Sequence, residues 1–167
     1  LKLGFRDERP TCRTAASRPA SLLPHPGVRP IGPEEWPAIA ARDFAAFGAD
    51  RTDLLRLLQG EGSNAALVED GKLFAYGFAR PGHNASYLGP LVAEDAESAR
   101  RVAETLLAAL PEGQVYWDHL SENAASMGIA EALGFQVTRR LTRMYLGEEM
   151  HPGDVSRVYG LATFELG

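Results

Sequence analysis

The chain has 167 residues, 45% hydrophobic and 23% charged, the balance of a globular protein long enough to bury one core. Its net charge of -5 argues against a general nucleic-acid binder, which needs a basic face to neutralise phosphates. Cys12 is the single cysteine, so no internal disulfide and no cysteine-built metal site is expected; with no long apolar run and no signal-like N-terminus, a cytoplasmic protein without a membrane segment is expected.

The first residues repeat further on. Leu3-Gly4-Phe5 recurs 130 positions later as Leu133-Gly134-Phe135, and at the same offset Arg9 falls on Arg139 and Arg13 on Arg143. The offset equals one domain length, and the chain starts at Leu1, not at Met. Residues 1–16 are therefore expected to be the tail of a preceding domain, 17–27 a Pro-rich linker, 28–148 one complete domain, and 149–167 a loop and C-terminal strand. A lone strand is unstable, so the tail should pack on a partner surface and exchange freely in the isolated chain.

In the complete copy, Val28 to Ile31 reads as a short strand. A helix follows over Glu34 to Phe47, with Trp36, Ile39, Ala40, Phe44 and Phe47 at helical spacing and Pro37 tolerated in the first turn. Asp50 can cap a second helix carrying Leu54, Leu55, Leu57 and Leu58. Ala65 to Glu69 and Leu73 to Phe78 flank Asp70-Gly71, a hairpin signal because both central positions need positive φ. After a turn at Pro81-Gly82-His83-Asn84, a strand runs from Ser86 to Ala93. Asp95 caps a third helix, Gln114 to His119 is a strand, and Asn123 to Leu133 a fourth helix stopped by Gly134. Phe135 to Leu146 and Arg157 to Leu166 read as closing strands, paired with each other unless the tail crosses over to complete the preceding domain.

The order βααβββαβαββ predicts an α/β (α+β) fold, a mixed sheet with helices on both faces. Its central strand–helix–strand crossover makes the strands at Ser86 and Gln114 parallel neighbours. Ligands in such sheets bind beyond the carboxyl ends of the strands, which places a site at Val92–Ser98 and Asp118–Asn123.

This order, together with the run from Asn123 through Gly134-Phe135, resembles the GNAT superfamily of N-acetyltransferases, and Leu3-Gly4-Phe5 resembles the end of the same motif in a preceding domain. The resemblance covers about Val28 to Leu146 and implies the second half of a tandem GNAT protein that uses acetyl-CoA as co-substrate and no metal. It places donor-binding groups at Leu91, Val92, Ser98, Arg100 and Asn123, and gives Gly89-Pro90 as the bulge that splays two strands to admit the acyl chain. The partners it implies are an amine acceptor (a small molecule or a peptide), the preceding domain, and a second copy in a homodimer.

Two departures weaken the donor site. The family holds the pyrophosphate on a Gly-rich turn at the start of the third helix, where free amides and the helix dipole favour an anion. Here no Gly occurs between Gly89 and Gly113, and the helix starts Ala93-Glu-Asp-Ala-Glu-Ser98. A carboxylate about 6 Å from a phosphate loses roughly 3 kcal/mol at an effective dielectric of about 20. The dipole returns only ~0.3–1 kcal/mol. Arg100 and Arg101 can offset part of the difference. The second departure is Ala130, which stands where many GNAT enzymes carry a Tyr seven residues after the Asn to protonate the leaving thiolate.

Candidate catalytic residues are Asp118 and His119, at the carboxyl end of a central strand where a general base for an amine belongs. The bland alternative makes Asp118 a cap or an Arg partner, Asn123 simply a helix cap, and His83 an exposed turn residue. Arg80 and Tyr87 could line an acceptor groove; Arg139, Arg140 and Arg143 read as surface or domain-contact charges. Three functions follow: an N-acetyltransferase, a catalytically degenerate GNAT-like domain that shapes the acceptor site or dimer contact of its neighbour, or a fold-sharing module for another ligand. The helix start at Glu94–Ser98 favours the second for the isolated chain, while for the parent protein the first still leads.

Overall fold

A computed structural model describes residues 3–147 and 153–164 of the protein. The expected domain limit at 148 and the last positions of the expected closing strand, 165–166, lie outside these residues. In chain order the elements are β1 (Phe5–Ser17), β2 (Val28–Arg29), α1 (Trp36–Phe47), α2 (Thr52–Glu61), β3 (Ser63–Glu69), β4 (Lys72–Arg80), β5 (Ser86–Ala93), α3 (Ala96–Ala109), β6 (Gln114–Leu120), α4 (Ala124–Ala132), β7 (Gln136–Leu146) and β8 (Val158–Gly160). The sheet runs β2-β3-β4-β5-β6-β1-β7, with β8 paired to β5 off that path.

Two apolar cores sit on opposite faces, as strand alternation dictates. Ala75 and Leu91 face α3 and α4, packing with Val102, Leu106 and Ile129. Tyr76 and Val92, one residue along, face α1 and α2 and pack with Ile39 and Leu55. The Arg51 guanidinium forks onto the Asp43 carboxylate at 2.8 and 2.9 Å, and Tyr76 Oη also donates to Asp43, so a buried polar cluster ties α1 to the start of α2. At the β3–β4 turn, Asp70 and Gly71 take φ of 49° and 75°.

Two expectations about the chain ends are corrected. Residues 5–17 do not sit on a separate partner surface. As β1 they lie inside this sheet, antiparallel to β6 from Thr11↔Leu120 to Ser17↔Gln114 and antiparallel to β7 on the other side. Burial explains the placement: Cys12 is fully enclosed, and Thr14 and Ala15 are buried. The C-terminal strand, in turn, does not pair with β7. β8 lies antiparallel to β5, with Gly160 opposite Leu91 and Val158 opposite Val92. β1 already holds the inner edge of β7, and β5 offers the unpaired edge that β8 takes.

Candidate active site

The site is defined by where β5 and β6 part. They pair in parallel only from Ser86↔Val115 to Leu88↔Trp117. Beyond Gly89-Pro90 they diverge, leaving the V-shaped opening that the bulge foretold. β8 runs into this opening and bonds both walls. Besides its ladder with β5, the Leu161 amide donates to the Asp118 carbonyl at 2.8 Å, and the Trp117 indole N–H donates to the Tyr159 carbonyl at 2.9 Å. Ser126 Oγ donates to the same carbonyl at 2.7 Å. Gly89 permits the approach: its φ is 138°, and an added Cβ would lie 2.0 Å from the Leu161 carbonyl oxygen.

The residues expected to bind the donor hold this segment or each other. Leu91 and Val92 are fully buried, and their backbones carry the β8 ladder. Asn123 caps α4, its Oδ1 accepting from the Ser126 amide at 3.0 Å. The same side chain's Nδ2 lies 2.9 Å from the Val158 carbonyl and 3.3 Å from those of Val155 and Ser156. At the start of α3, the Ser98 amide is taken by the Asp95 cap at 2.8 Å. Arg100 is bound to Glu97 and Glu104, and Arg101 to Glu69 and the Pro26 carbonyl, so neither points at an incoming phosphate. Glu94 pairs with Lys72 at 3.0 Å, and that hydrogen bond lowers its carboxyl below the usual range. These residues do not fit a pyrophosphate: the Ser98 amide is taken by Asp95, Glu94, Asp95 and Glu97 cluster at the helix start, and the nearby arginines are held by carboxylates and a carbonyl.

The acceptor-groove candidates also hold the C-terminal segment. Arg80 donates to the carbonyls of Ala162 at 3.0 Å and Gly89 at 3.3 Å, with its guanidinium 5.2 Å from the Tyr87 ring centre. Asp118, proposed as a base, is buried and bound by both arms of the Arg13 guanidinium at 2.7 Å. Arg13 in turn lies 4.8 and 4.6 Å from the rings of Tyr116 and Phe164. The fork takes one lone pair on each carboxylate oxygen, and burial leaves Asp118 no exposed face for an acceptor amine.

His119 is fully enclosed, and burial drives its pKa down to about 3. Its Nδ1 is 2.6 Å from Ser126 Oγ and its Nε2 is 3.0 Å from Thr14 Oγ1. Both hydroxyls also reach backbone carbonyls, of Tyr159 and Trp117 respectively. A neutral ring donates from one nitrogen only, so one hydroxyl must give its proton to the ring. His119 thus links β1, β6 and α4, with both ring nitrogens engaged by hydroxyls and the ring fully buried. Ala130, also fully buried, offers no donor. Among the described residues, no group of three or more His, Cys, Asp or Glu side chains converges as a metal-ligand set. No described helix is long and apolar enough to cross a membrane.

Sequence reading did not find Arg13, Thr14, Trp117 or Ser126 as parts of this region. Ser126 alone carried a signal, three residues after the capping Asn. The others arrive by non-local pairing.

A family profile described as an acetyltransferase (GNAT) domain matches residues 39–160. The chain belongs to the GNAT acetyltransferase family. Solved structures share its fold. A Pyrococcus horikoshii protein designated an acetyltransferase superposes with a TM-score of 0.78 at 21% identity, over 99% of this chain and 54% of that one. A GNAT-family protein from Novosphingobium aromaticivorans gives 0.68 at 22%, over 84% of this chain and 66% of the other. A tandem GNAT protein of clavulanic acid biosynthesis, solved without acetyl-CoA, gives 0.58 at 18%, over 85% of this chain and 55% of its own. The GNAT chain thus spans about half to two thirds of these relatives. No curated protein matches it in sequence.

Proposed function

We propose that this GNAT domain serves N-acetyl transfer, from acetyl-CoA to an amine of a small molecule or peptide, as one half of a tandem pair, and that it is the half that does not hold the donor. Its part is to shape the acceptor site or the domain contact of its partner. The observation that carries the reading is β8, which fills the opening between β5 and β6 where the family admits the acyl arm. The acidic start of α3 supports it independently, because blocking the arm would not by itself require carboxylates at the phosphate position. The tandem part draws on the repeat at offset 130 and on one structural relative being a tandem GNAT protein.

Titration calorimetry of the 167-residue chain with acetyl-CoA at low salt tests the reading. No measurable heat of binding is expected. A dissociation constant in the low micromolar range would make this domain a donor-binding catalyst and end the proposal.

A further inference from the structure

The ladder between β1 and β7 carries an internal symmetry. Shifting any β1 residue by the repeat offset of 130 gives its counterpart in β7. Any antiparallel ladder of constant register maps onto itself under such a shift, as Arg9↔Arg143 does onto Arg13↔Arg139, so the information lies in where the register breaks. Thr11↔Leu141 maps onto itself, so a local twofold passes through that pair. The two irregularities obey the same rule. The register skips Glu8 on one strand and Thr138 on the other, and these are counterparts. Gly4 and Gly134, which precede the two strands, have φ of 85° and 84°. Sequence identity at five positions is weak evidence for a repeat. Two register breaks and two positive-φ glycines that fall on counterpart positions add to it independently.

The symmetry has a consequence at the far side of β7. β1 pairs on one side with β7 and on the other with β6. Among the described residues its counterpart β7 has only the β1 side filled, and is one edge of the sheet. That edge is long and exposes apolar side chains at Val137, Met144 and Leu146, the last 62% accessible, beside Phe5 and Leu3. Open edges of this kind invite a further strand. We infer that the outer edge of β7 is completed by the counterpart of β6 from a preceding repeat of the same chain, making one sheet continuous through both domains.

The inference rests on the tandem reading, and it fixes a register. Thr11 pairs with Leu120 and Arg13 with Asp118. Shifted by the offset, Leu141 faces the counterpart of Leu120, and Arg143 faces the counterpart of Asp118, a position that should carry a carboxylate. Arg143 now reaches Glu8 at 2.9 Å and lies over the Phe47 ring, much as Arg13 lies among aromatic rings. Because β6 meets β1 only from Thr11 onward, the new ladder should engage residues 141–146 and leave 136–140 unpaired on that side.

Amide hydrogen exchange tests this, comparing the 167-residue chain with the same chain extended upstream through one repeat length. In the extended chain, exchange at 141–146 should slow at least a hundredfold while 136–140 change little, and Arg143→Ala should return about tenfold of that protection. Equal exchange in both chains, with a GNAT domain present upstream, overturns the continuous sheet and leaves the tandem reading standing. An upstream segment that is not a GNAT domain overturns both. Protection that appears in the short chain as its mass doubles in sedimentation assigns the edge to a second copy, and also overturns the inference.

Discussion

Two strand edges left over by their neighbours are treated by the molecule in opposite ways. Between β5 and β6, where the family makes room for an acyl arm, β8 enters and is bonded from both walls, from the α4 cap and from Arg80. Val158, Tyr159 and Leu161 are buried there. Along the outer side of β7, no strand among the described residues pairs, and Met144 and Leu146 stand exposed. Buried backbone polar groups must be paired, whereas an exposed edge can be left to water or to a partner strand. The contrast says that the interior opening is closed as part of folding this chain, while the β7 edge stays open to water or to a partner strand.

Substitutions at the two places should therefore behave differently. Gly89→Ala sets a methyl group against the Leu161 carbonyl at a positive-φ position, and the C-terminal segment must move out. Overpacking and left-handed strain together should cost roughly 2–5 kcal/mol in urea unfolding. A loss below about 1 kcal/mol would mean that β8 is loosely seated.

Asn123→Asp keeps the oxygen that caps α4 but replaces the amide that faces three carbonyls of the C-terminal segment. Roughly 1–3 kcal/mol should be lost, since buried acceptors are stranded against a carboxylate. An unchanged urea midpoint would reduce Asn123 to a cap alone.

His119 supplies the pH dependence. Its folded pKa is about 3 against an ordinary 6.5, so below pH 6.5 the unfolded chain binds a proton that the folded chain refuses. The contribution is full above pH 6.5 and falls as pH drops toward 3, by up to about 1.4 kcal/mol per pH unit. Chemical denaturation at pH 7 and pH 5 should show this slope, and His119→Gln should flatten it. A slope unchanged by the substitution would place the proton uptake elsewhere.

The smallest effect belongs to the open edge. Met144→Lys in the 167-residue chain should shift stability by no more than about 0.5 kcal/mol, as exposed substitutions generally do. A clear destabilisation would show that Met144 is packed within this chain.

What was legible in the sequence follows the range of the forces involved. Helices α1 to α4 follow from apolar spacing and local caps, and Asp95 and Asn123 cap as their side-chain chemistry dictates. The Asp70-Gly71 hairpin and the divergence at Gly89-Pro90 were legible for the same reason: each depends on backbone geometry that only a few residues allow. The acidic start of α3 was readable as a charge pattern. Pairing was not readable. Nothing in Val158-Tyr-Gly160 names β5 as its neighbour, and nothing near Asp118 reveals that Arg13, 105 positions away, will take both carboxylate oxygens. The repeat at offset 130 was visible as a match of letters, but its meaning as a twofold ladder needed the register. A site proposed from strand ends alone therefore misjudged which groups there were free.

The claim that the opening is closed by the chain's own segment is tested most directly by amide exchange at residues 158–161, measured beside 141–146 with and without saturating acetyl-CoA. The expected result is exchange at 158–161 slowed toward the limit set by global unfolding, fast exchange at 141–146 in the 167-residue chain, and no change at either segment on adding acetyl-CoA. Fast exchange at 158–161, or loss of protection there when acetyl-CoA is added, would mean that β8 yields to the donor, and would contradict the account.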